Sequence, residues 1–358
     1  MLRNQFIHFA LLLCAFWPNE LSAGKSRIPI QEHDPNSQYL CKGELGEHAA
    51  CLCNDEAFEV ACVNAQFVDV HAFHYLNTNY RLANVRKLTF HGNNFQELTN
   101  APLFGSIIHE DLQVLNISAN YIVTLHSNAL KSTPNINVLD LSNNEIVLNQ
   151  ENVKFLKHTR KLTQLYLRRA FTASVNRTKQ FDILMQMFEN ADLKQLKYLD
   201  LSYNFLTSVP YNLGCPFPSL SFLDFRQNML STLTMNISCL SSIDSIDLSR
   251  NHFHHLDENF RRNFANYMPP QSLSMRNLFY CDCHSSEWLA WFRSTNTIRD
   301  REMLTCGKAS PMTNRGARLL EVPVNMLDCT VSMENAGTIQ ILSKWTMLLA
   351  SLFLCLLR

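Results

Sequence analysis

The stretch "LKYLDLSYNFL", Leu196 to Leu206, carries its apolar residues and its asparagine on the template LxxLxLxxNxL. Four other stretches follow the same template: "LQVLNISANYI" from Leu112, "INVLDLSNNEI" from Ile136, "LSFLDFRQNML" from Leu220 and "IDSIDLSRNHF" from Ile243. "VRKLTFHGNNF" fits with Val85 and Phe90 as conservative replacements, and "LTQLYLRRAFT" keeps the leucines from Leu162 but has Ala170 where asparagine is expected. A shortened copy, "SLSMRNLFYCDC" from Ser272, runs into a group of cysteines. The chain therefore holds about eight copies of one unit, most of them about 23 to 27 residues apart.

That period lies within the range of leucine-rich repeats. In each LxL the two apolar side chains point to one side and their neighbours to the other, so every unit contributes one short strand. The asparagines that follow (Asn93, Asn120, Asn144, Asn204, Asn228 and Asn251) can satisfy backbone groups where the chain turns, forming a ladder along the stack. One unit cannot bury its leucines alone. Stacking the units predicts an α/β repeat fold, a curved solenoid with a parallel strand face, whose first and last turns need caps.

The cysteines sit where caps belong. Of the 12 in the chain, Cys14 and Cys355 lie in terminal apolar segments. Cys41, Cys51, Cys53 and Cys62 cluster before the repeats, Cys281, Cys283, Cys306 and Cys329 after them, and Cys215 and Cys239 between. The start, "MLRNQFIHFALLLCAFWPNELSA", places Arg3 before an apolar run and ends in small residues, which reads as a signal peptide cleaved near Ala23. The secretory route is oxidising, so the ten remaining cysteines are expected as disulfides. Zinc ligation by Cys281, Cys283 and His284 is the weaker reading, since adjacent Cys283 and His284 make awkward tetrahedral neighbours. Cys215 and Cys239 are one repeat period apart and could bridge adjacent coils.

The far end offers small residues at Asn335, Ala336 and Gly337, a short spacer and a 13-residue apolar tail from Trp345 to Leu357. A spanning helix needs roughly 20 apolar residues and a removed lipid-anchor signal only about 10–20, which favours a glycosylphosphatidylinositol anchor at or near Asn335. Extending the apolar segment back to Ile339 gives the alternative of a spanning helix carrying Lys344. The organisation expected is thus a signal peptide over 1–23, an N-terminal segment over 24–40 and a cysteine-rich cap over 41–84. Repeats follow over 85–280, then a second cysteine-rich cap over 281–329 and a spacer with the anchor signal over 330–358.

One interval is abnormal: Leu165 to Leu199 is 34 residues, with an insertion near 168–195. Within it, Phe181, Leu184, Met185 and Phe188 fall on one helical face. The insertion reads as a loop packed on the convex side of the solenoid or as a break that divides it into two lobes, and the two readings are compatible.

Signal peptide, cysteine-rich N-cap, repeats and a CxC-type C-cap together resemble the extracellular leucine-rich-repeat proteins of animals. The stretches "CDCHSSEWLAWF" and "LTCGKASPMTNRGARLLEVPVNMLDC", the interrupted middle and the spacing from Cys41 to Cys62 resemble more closely the Wnt-inhibitory cell-surface glycoproteins among them. The resemblance implies cap bridges from first to third and second to fourth cysteine: Cys41–Cys53, Cys51–Cys62, Cys281–Cys306 and Cys283–Cys329. It further implies protein binding at the cell surface that dampens Wnt/β-catenin signalling through the co-receptor. An adhesion or guidance receptor of the same architecture is the competing function.

A partner is expected on the strand face, where outward positions flank the buried leucines. Tyr166, Tyr198 and Phe222 beside Asp200 and Asp224 make the candidate patch, because aromatic residues near charges are enriched in binding hot spots. Sequons occur at Asn116, Asn176 and Asn236, and a glycan on Asn116 would obstruct the N-terminal part of that face. Lys plus Arg and Asp plus Glu balance at 31 each, so no basic excess points to nucleic acid. No Ser, His and Asp arrangement indicates catalysis, and no cofactor or small-molecule substrate is expected. In "NHFHHLDEN", His252, His254, His255 and Asp257 could in principle hold a metal, but Phe253 fits the buried repeat position and leaves the histidines as surface groups.

Overall fold

Alternating apolar positions can send both leucines of LxL inward only from an extended segment, and the computed structural model forms a strand at each. It describes residues 40–41, 50–74, 84–172 and 177–329, with the side chains of 177 and 178 excepted. The signal-peptide segment 1–23, most of the segment 24–40, Cys14, the sequon at Asn176, Cys355 and the anchor signal at Asn335 lie outside the described residues. Among the described residues no helix is long and apolar enough to cross a membrane.

Strands β1 (Leu52–Asn54) and β2 (Glu59–Val63) form an antiparallel pair in the N-terminal cap. Then come β3 (Lys87–His91), β4 (Glu97–Leu98), β5 (Val114–Asn116), β6 (Thr124–Leu125), β7 (Val138–Asp140) and β8 (Gln164–Tyr166). They are followed by β9 (Tyr198–Asp200), β10 (Phe222–Asp224), β11 (Ser245–Asp247) and β12 (Leu273–Ser274). The short β4 and β6 pair with each other, while the rest join in chain order into a 10-stranded sheet that is parallel from β2 onward.

Register aligns the inward positions into columns. Val60, Leu88, Leu115, Leu139, Leu165, Leu199, Leu223, Ile246 and Leu273 stand opposite one another along the sheet, and all are buried. The second inward position of each repeat, from Cys62 and Phe90 to Leu248 and Met275, is buried too. At about 1.5–3 kcal/mol for each large apolar side chain removed from water, these columns are the main favourable term.

Asparagine fills the polar gap that the turns leave. Nδ2 of Asn93, Asn120, Asn144, Asn204, Asn228 and Asn251 donates to the carbonyl of the second inward residue one repeat back: Cys62, Phe90, Ile117, Leu167, Leu201 and Phe225. The Oδ1 atoms of Asn120, Asn144, Asn228 and Asn277 accept the N–H of Asn93, Asn120, Asn204 and Asn251 at 2.6 to 3.0 Å. Asn277, in the shortened copy, is a rung of the same kind, its Nδ2 donating to Leu248 O. The residue just before each rung from Asn93 to Asn251 is left-handed, and so is Arg169 before Ala170: Gly92, Ala119, Asn143, Arg169, Tyr203, Gln227 and Arg250 all have φ between 47° and 72°. For the residues other than glycine this conformation costs about 1–3 kcal/mol.

At Ala170 the rung is missing, yet the sheet is not interrupted: β8 and β9 pair with Leu165 opposite Leu199. The strand face therefore runs through, and the insertion is taken up in the return segment. There, helix α1 (Arg177–Glu189) packs against a 3-10 helix at Gln150–His158. Phe181, Leu184, Met185 and Phe188 are buried, and so are Ile183 and Met187, so the helix is enclosed beyond the single face that periodicity indicates. Gln180 fastens it, accepting from Leu148 N (2.5 Å) and donating to Leu148 O (2.7 Å) as a neighbouring strand would.

Disulfides join Cys41 to Cys53, Cys51 to Cys62, Cys215 to Cys239, Cys281 to Cys306 and Cys283 to Cys329. In the C-terminal cap β13 (Phe279–Cys281) pairs with β14 (Cys306–Ala309). Helix α2 (Ser286–Ser294) covers the end of the core with Trp288, Leu289 and Phe292, whereas Trp291 sits at the rim and donates Nε1 to Asn266 Oδ1 (2.7 Å).

Asn204 is a rung with much to lose, since its amide accepts from Ala170 N and donates to three carbonyls. Asn204→Ala should lower unfolding stability in urea by about 3 kcal/mol, the cost of leaving buried polar groups unpaired. Thr207→Ala, at an exposed position nearby, should stay within about 0.5 kcal/mol of the parent. Equal losses in the two variants would contradict the role given to the ladder.

Candidate protein-binding face

Outward positions on the sheet form two columns. The first, before the inner leucine, runs Val138, Gln164, Tyr198, Phe222 and Ser245, and the second, after it, runs Thr89, Asn116, Asp140, Tyr166, Asp200, Asp224 and Asp247. The rings of Tyr166 and Tyr198 lie 5.1 Å apart at 38°, and those of Tyr198 and Phe222 6.3 Å apart at 35°. The three side chains thus form one aromatic row across β8, β9 and β10. Phe222 is 46% exposed and both tyrosines are half-buried.

The aspartates behave differently from the aromatic residues. Asp200 and Asp224 are only 5% and 8% exposed. Each accepts a backbone N–H two residues on, from Ser202 and Arg226 respectively at 2.8 Å, and Asp140 and Asp247 do the same for Ser142 and Ser249. Their first role is local: they fix the exit of the chain from the strand. Of the five residues read as a patch, the structure brings all together but leaves Tyr166, Tyr198 and Phe222 partly or largely accessible, with Asp200 and Asp224 buried.

Strands lie about 4.8 Å apart, so the carboxylates of Asp200, Asp224 and Asp247 are close like charges. Burial, then the charges of Asp200 and Asp247, push the Asp224 carboxyl up to about 6, despite the Arg226 N–H and the Arg226 guanidinium 3.1 Å away. The same surroundings raise the tyrosines: burial, then Asp200 and Asp224, put the Tyr198 hydroxyl at about 12. Burial followed by Asp140 and Asp200 raises Tyr166, whose hydroxyl donates to Gln164 Oε1 (2.9 Å). Both tyrosines are neutral hydrogen-bonding groups at physiological pH. Two flanking residues were not singled out from sequence: Arg226, and Arg168, whose guanidinium lies 4.3 Å from the ring centre of Tyr203. The period-two pattern that picked Tyr166 and Asp224 points to both, one outward step further along the chain.

Asn116 takes its place in the second column, opposite Asp140 and so two strands, about 10 Å, from the position of Tyr166. Its Oδ1 accepts from Ser118 N (2.9 Å) and Ser118 Oγ (2.7 Å). Asn236 caps a short 3-10 turn at Ile237–Cys239, away from the sheet.

The histidine run does not converge on a common point. Phe253 is buried, His254 Nδ1 bonds Leu278 O (2.8 Å), His255 Nε2 lies 3.2 Å from Asp282, and Asp257 accepts from Phe260 N and Thr232 Oγ1. Cys283, His284 and Cys329 bring ligand-type atoms within 4.8 Å of one another, but the two sulphurs are bonded to each other and are not thiolates.

Asp224 gives the face a pH signature. Its native value near 6 lies above the usual 3.8, so between those values the native state holds the proton that the unfolded chain releases. This group's contribution to stability falls as pH rises through that window and is smallest above pH 6. Asp224→Asn keeps an oxygen for the Arg226 N–H but cannot ionise. The urea stability of the parent relative to the variant should decline from pH 4 to pH 7; a difference that does not change with pH would show that the carboxyl is not raised.

Comparison with known proteins agrees with this architecture. A Leucine Rich Repeat family model matches residues 195–215, the unit around β9. Trophoblast glycoprotein of Macaca fascicularis is 25% identical over 291 residues, covering 78% of this chain and 67% of the relative. That of Mus musculus is 26% identical over 325 residues, covering 86% and 71% respectively. The crystal structure of human 5T4 (Wnt-activated inhibitory factor 1, trophoblast glycoprotein) superposes with a TM-score of 0.65 at 23% identity, over 80% of this chain and 100% of that one. The chain is a disulfide-capped leucine-rich-repeat solenoid, similar over most of its length to trophoblast glycoprotein.

Proposed function

We propose that the chain is the ectodomain of a cell-surface glycoprotein that binds an extracellular protein through its strand face and thereby dampens Wnt/β-catenin signalling at the level of the co-receptor. The observation that carries the binding reading is the row Tyr166, Tyr198 and Phe222 on three adjacent strands. Flat aromatic surface held by a rigid sheet costs little conformational entropy on association, which is why such residues dominate interface energetics. Aspartates lie beneath it, so the partner's anchor is best matched by an arginine or lysine, whose cation gains from aromatic faces and from negative charge alike.

The Wnt reading rests on likeness: human 5T4 also bears the name Wnt-activated inhibitory factor 1. The cell-surface reading draws on the likeness to trophoblast glycoprotein together with the expected signal peptide, the sequons and the expected anchor at Asn335. Release of the protein from cells by phosphatidylinositol-specific phospholipase supports the lipid anchor; resistance favours a spanning helix. A glycan on Asn116 would crowd the N-terminal side of the row and direct the partner toward β9 to β12.

A Wnt reporter assay with the full chain tests the function. Expression should lower the signal, and Tyr198→Ala/Phe222→Ala should abolish that effect while weakening partner binding roughly tenfold or more. Asn116→Gln should bind more tightly than the parent, and unchanged affinity would leave the obstruction by a glycan without support. A reporter unmoved by the parent chain would remove the Wnt role and leave adhesion or guidance as the function of the same face.

A further inference from the structure

A groove of about 520 Å3 lies where the segments that follow β9, β10 and β11 meet, bringing together Tyr211, Asn236, Asn259, Asn263, Phe264 and Tyr267. Its size falls within the roughly 300–1,000 Å3 of small-ligand sites. Asn236 begins the sequon Asn236-Ile237-Ser238, and it is itself part of the wall. Its position is fixed from both sides: its N–H donates to Tyr211 O (2.9 Å), and its Oδ1 accepts from Ser238 N (3.2 Å) and Ser238 Oγ (2.5 Å). With Oδ1 held by Ser238, Nδ2, the atom that accepts a sugar, occupies the other branch of the planar amide.

The lining suits a saccharide. Tyr211 and Tyr267 are 60% and 70% exposed, while Phe264 is buried. A tyrosine ring offers a flat apolar face with a polar tip, and the C–H face of a pyranose ring with its equatorial hydroxyls is the complementary shape. Asn263 Nδ2 donates to Asn259 Oδ1 (3.0 Å), which leaves the other amide atom of each side chain to meet hydroxyl or N-acetyl groups.

We infer that Asn236 carries an N-linked glycan whose first N-acetylglucosamine residues lie in this groove against Tyr211 and Tyr267, so that the sugar becomes part of the folded surface. The covalent step is oligosaccharide transfer from a polyprenyl-diphosphate donor. The bond from Asn236 Nδ2 to the sugar C1 forms, the C1–O bond to the diphosphate breaks, and the proton lost from Nδ2 leaves with polyprenyl diphosphate. The proposal is independent of the strand-face partner, since the groove is built from return-segment residues.

The full chain, expressed in glycosylating animal cells, provides the test. Glycopeptide mass spectrometry should find Asn236 occupied. Peptide N-glycosidase acting on the native protein should then release that glycan about tenfold more slowly from the parent than from Tyr211→Ala/Tyr267→Ala, with equal rates after denaturation. Vacant Asn236, or equal native rates, overturns the inference. Should the double variant not fold, Ser238→Ala removes the sequon and leaves both rings in place: Tyr211 and Tyr267 should be nitrated several-fold faster in it than in the glycosylated parent, and equal nitration overturns the inference as well.

Discussion

The turns that lead the chain off the strand face leave backbone N–H and C=O groups that the apolar core cannot satisfy, and at all the repeat turns from Asn93 to Asn277 except the one at Ala170 an asparagine amide satisfies them. An amide carries both donor and acceptor, so one side chain can bond backward to a carbonyl and also accept an N–H, and the rungs connect one repeat to the next. This is also why a left-handed residue is tolerated before the rungs from Asn93 to Asn251: the conformational cost at Ala119, Tyr203 or Gln227 recurs with the turn and is offset by the bonds the following amide makes. Leucine columns provide the larger energy, but leucines alone would specify neither register nor turn.

Much of this is written in the sequence because the physics is periodic. The inward columns follow from LxL, the rungs from the asparagine two positions before the last apolar residue, and the strands from alternation. What is harder to read is where periodicity stops. Asn277 is a rung in a copy too short to stand out, and Ile183 and Met187 are buried in α1 because a second segment, Gln150–His158, encloses the helix. Gln180 imitates a strand neighbour with a side chain, and nothing in a repeat template looks for that.

The face shows a similar division. The aromatic row could be picked out because outward positions alternate with buried leucines, and register then places Tyr198 beside Phe222. The state of Asp200 and Asp224 could not, since a carboxylate at that position is equally compatible with a solvated surface. Burial and the bond to the N–H two residues on emerge only when neighbouring strands close over them. A short aspartate serves the turn in four of the repeats, at Asp140, Asp200, Asp224 and Asp247, and the like charges that accumulate on adjacent strands are a consequence of using one solution repeatedly.

That accumulation bears on recognition. These carboxylates, two of them buried, are only partly compensated from within: Arg226 bonds Asp224 and reaches Asp247 and Asp200 at longer range, while the positions corresponding to Arg226 on the strands either side carry serine. A cation brought by a partner would offset the burial and, after it, the like charges that raise Asp224, and the same contact would be strengthened by desolvation of the neighbouring rings. Repetition thus creates the stable solenoid and, on β9 and β10, where Tyr198 and Phe222 accompany the buried Asp200 and Asp224, an electrostatic imbalance that binding can resolve.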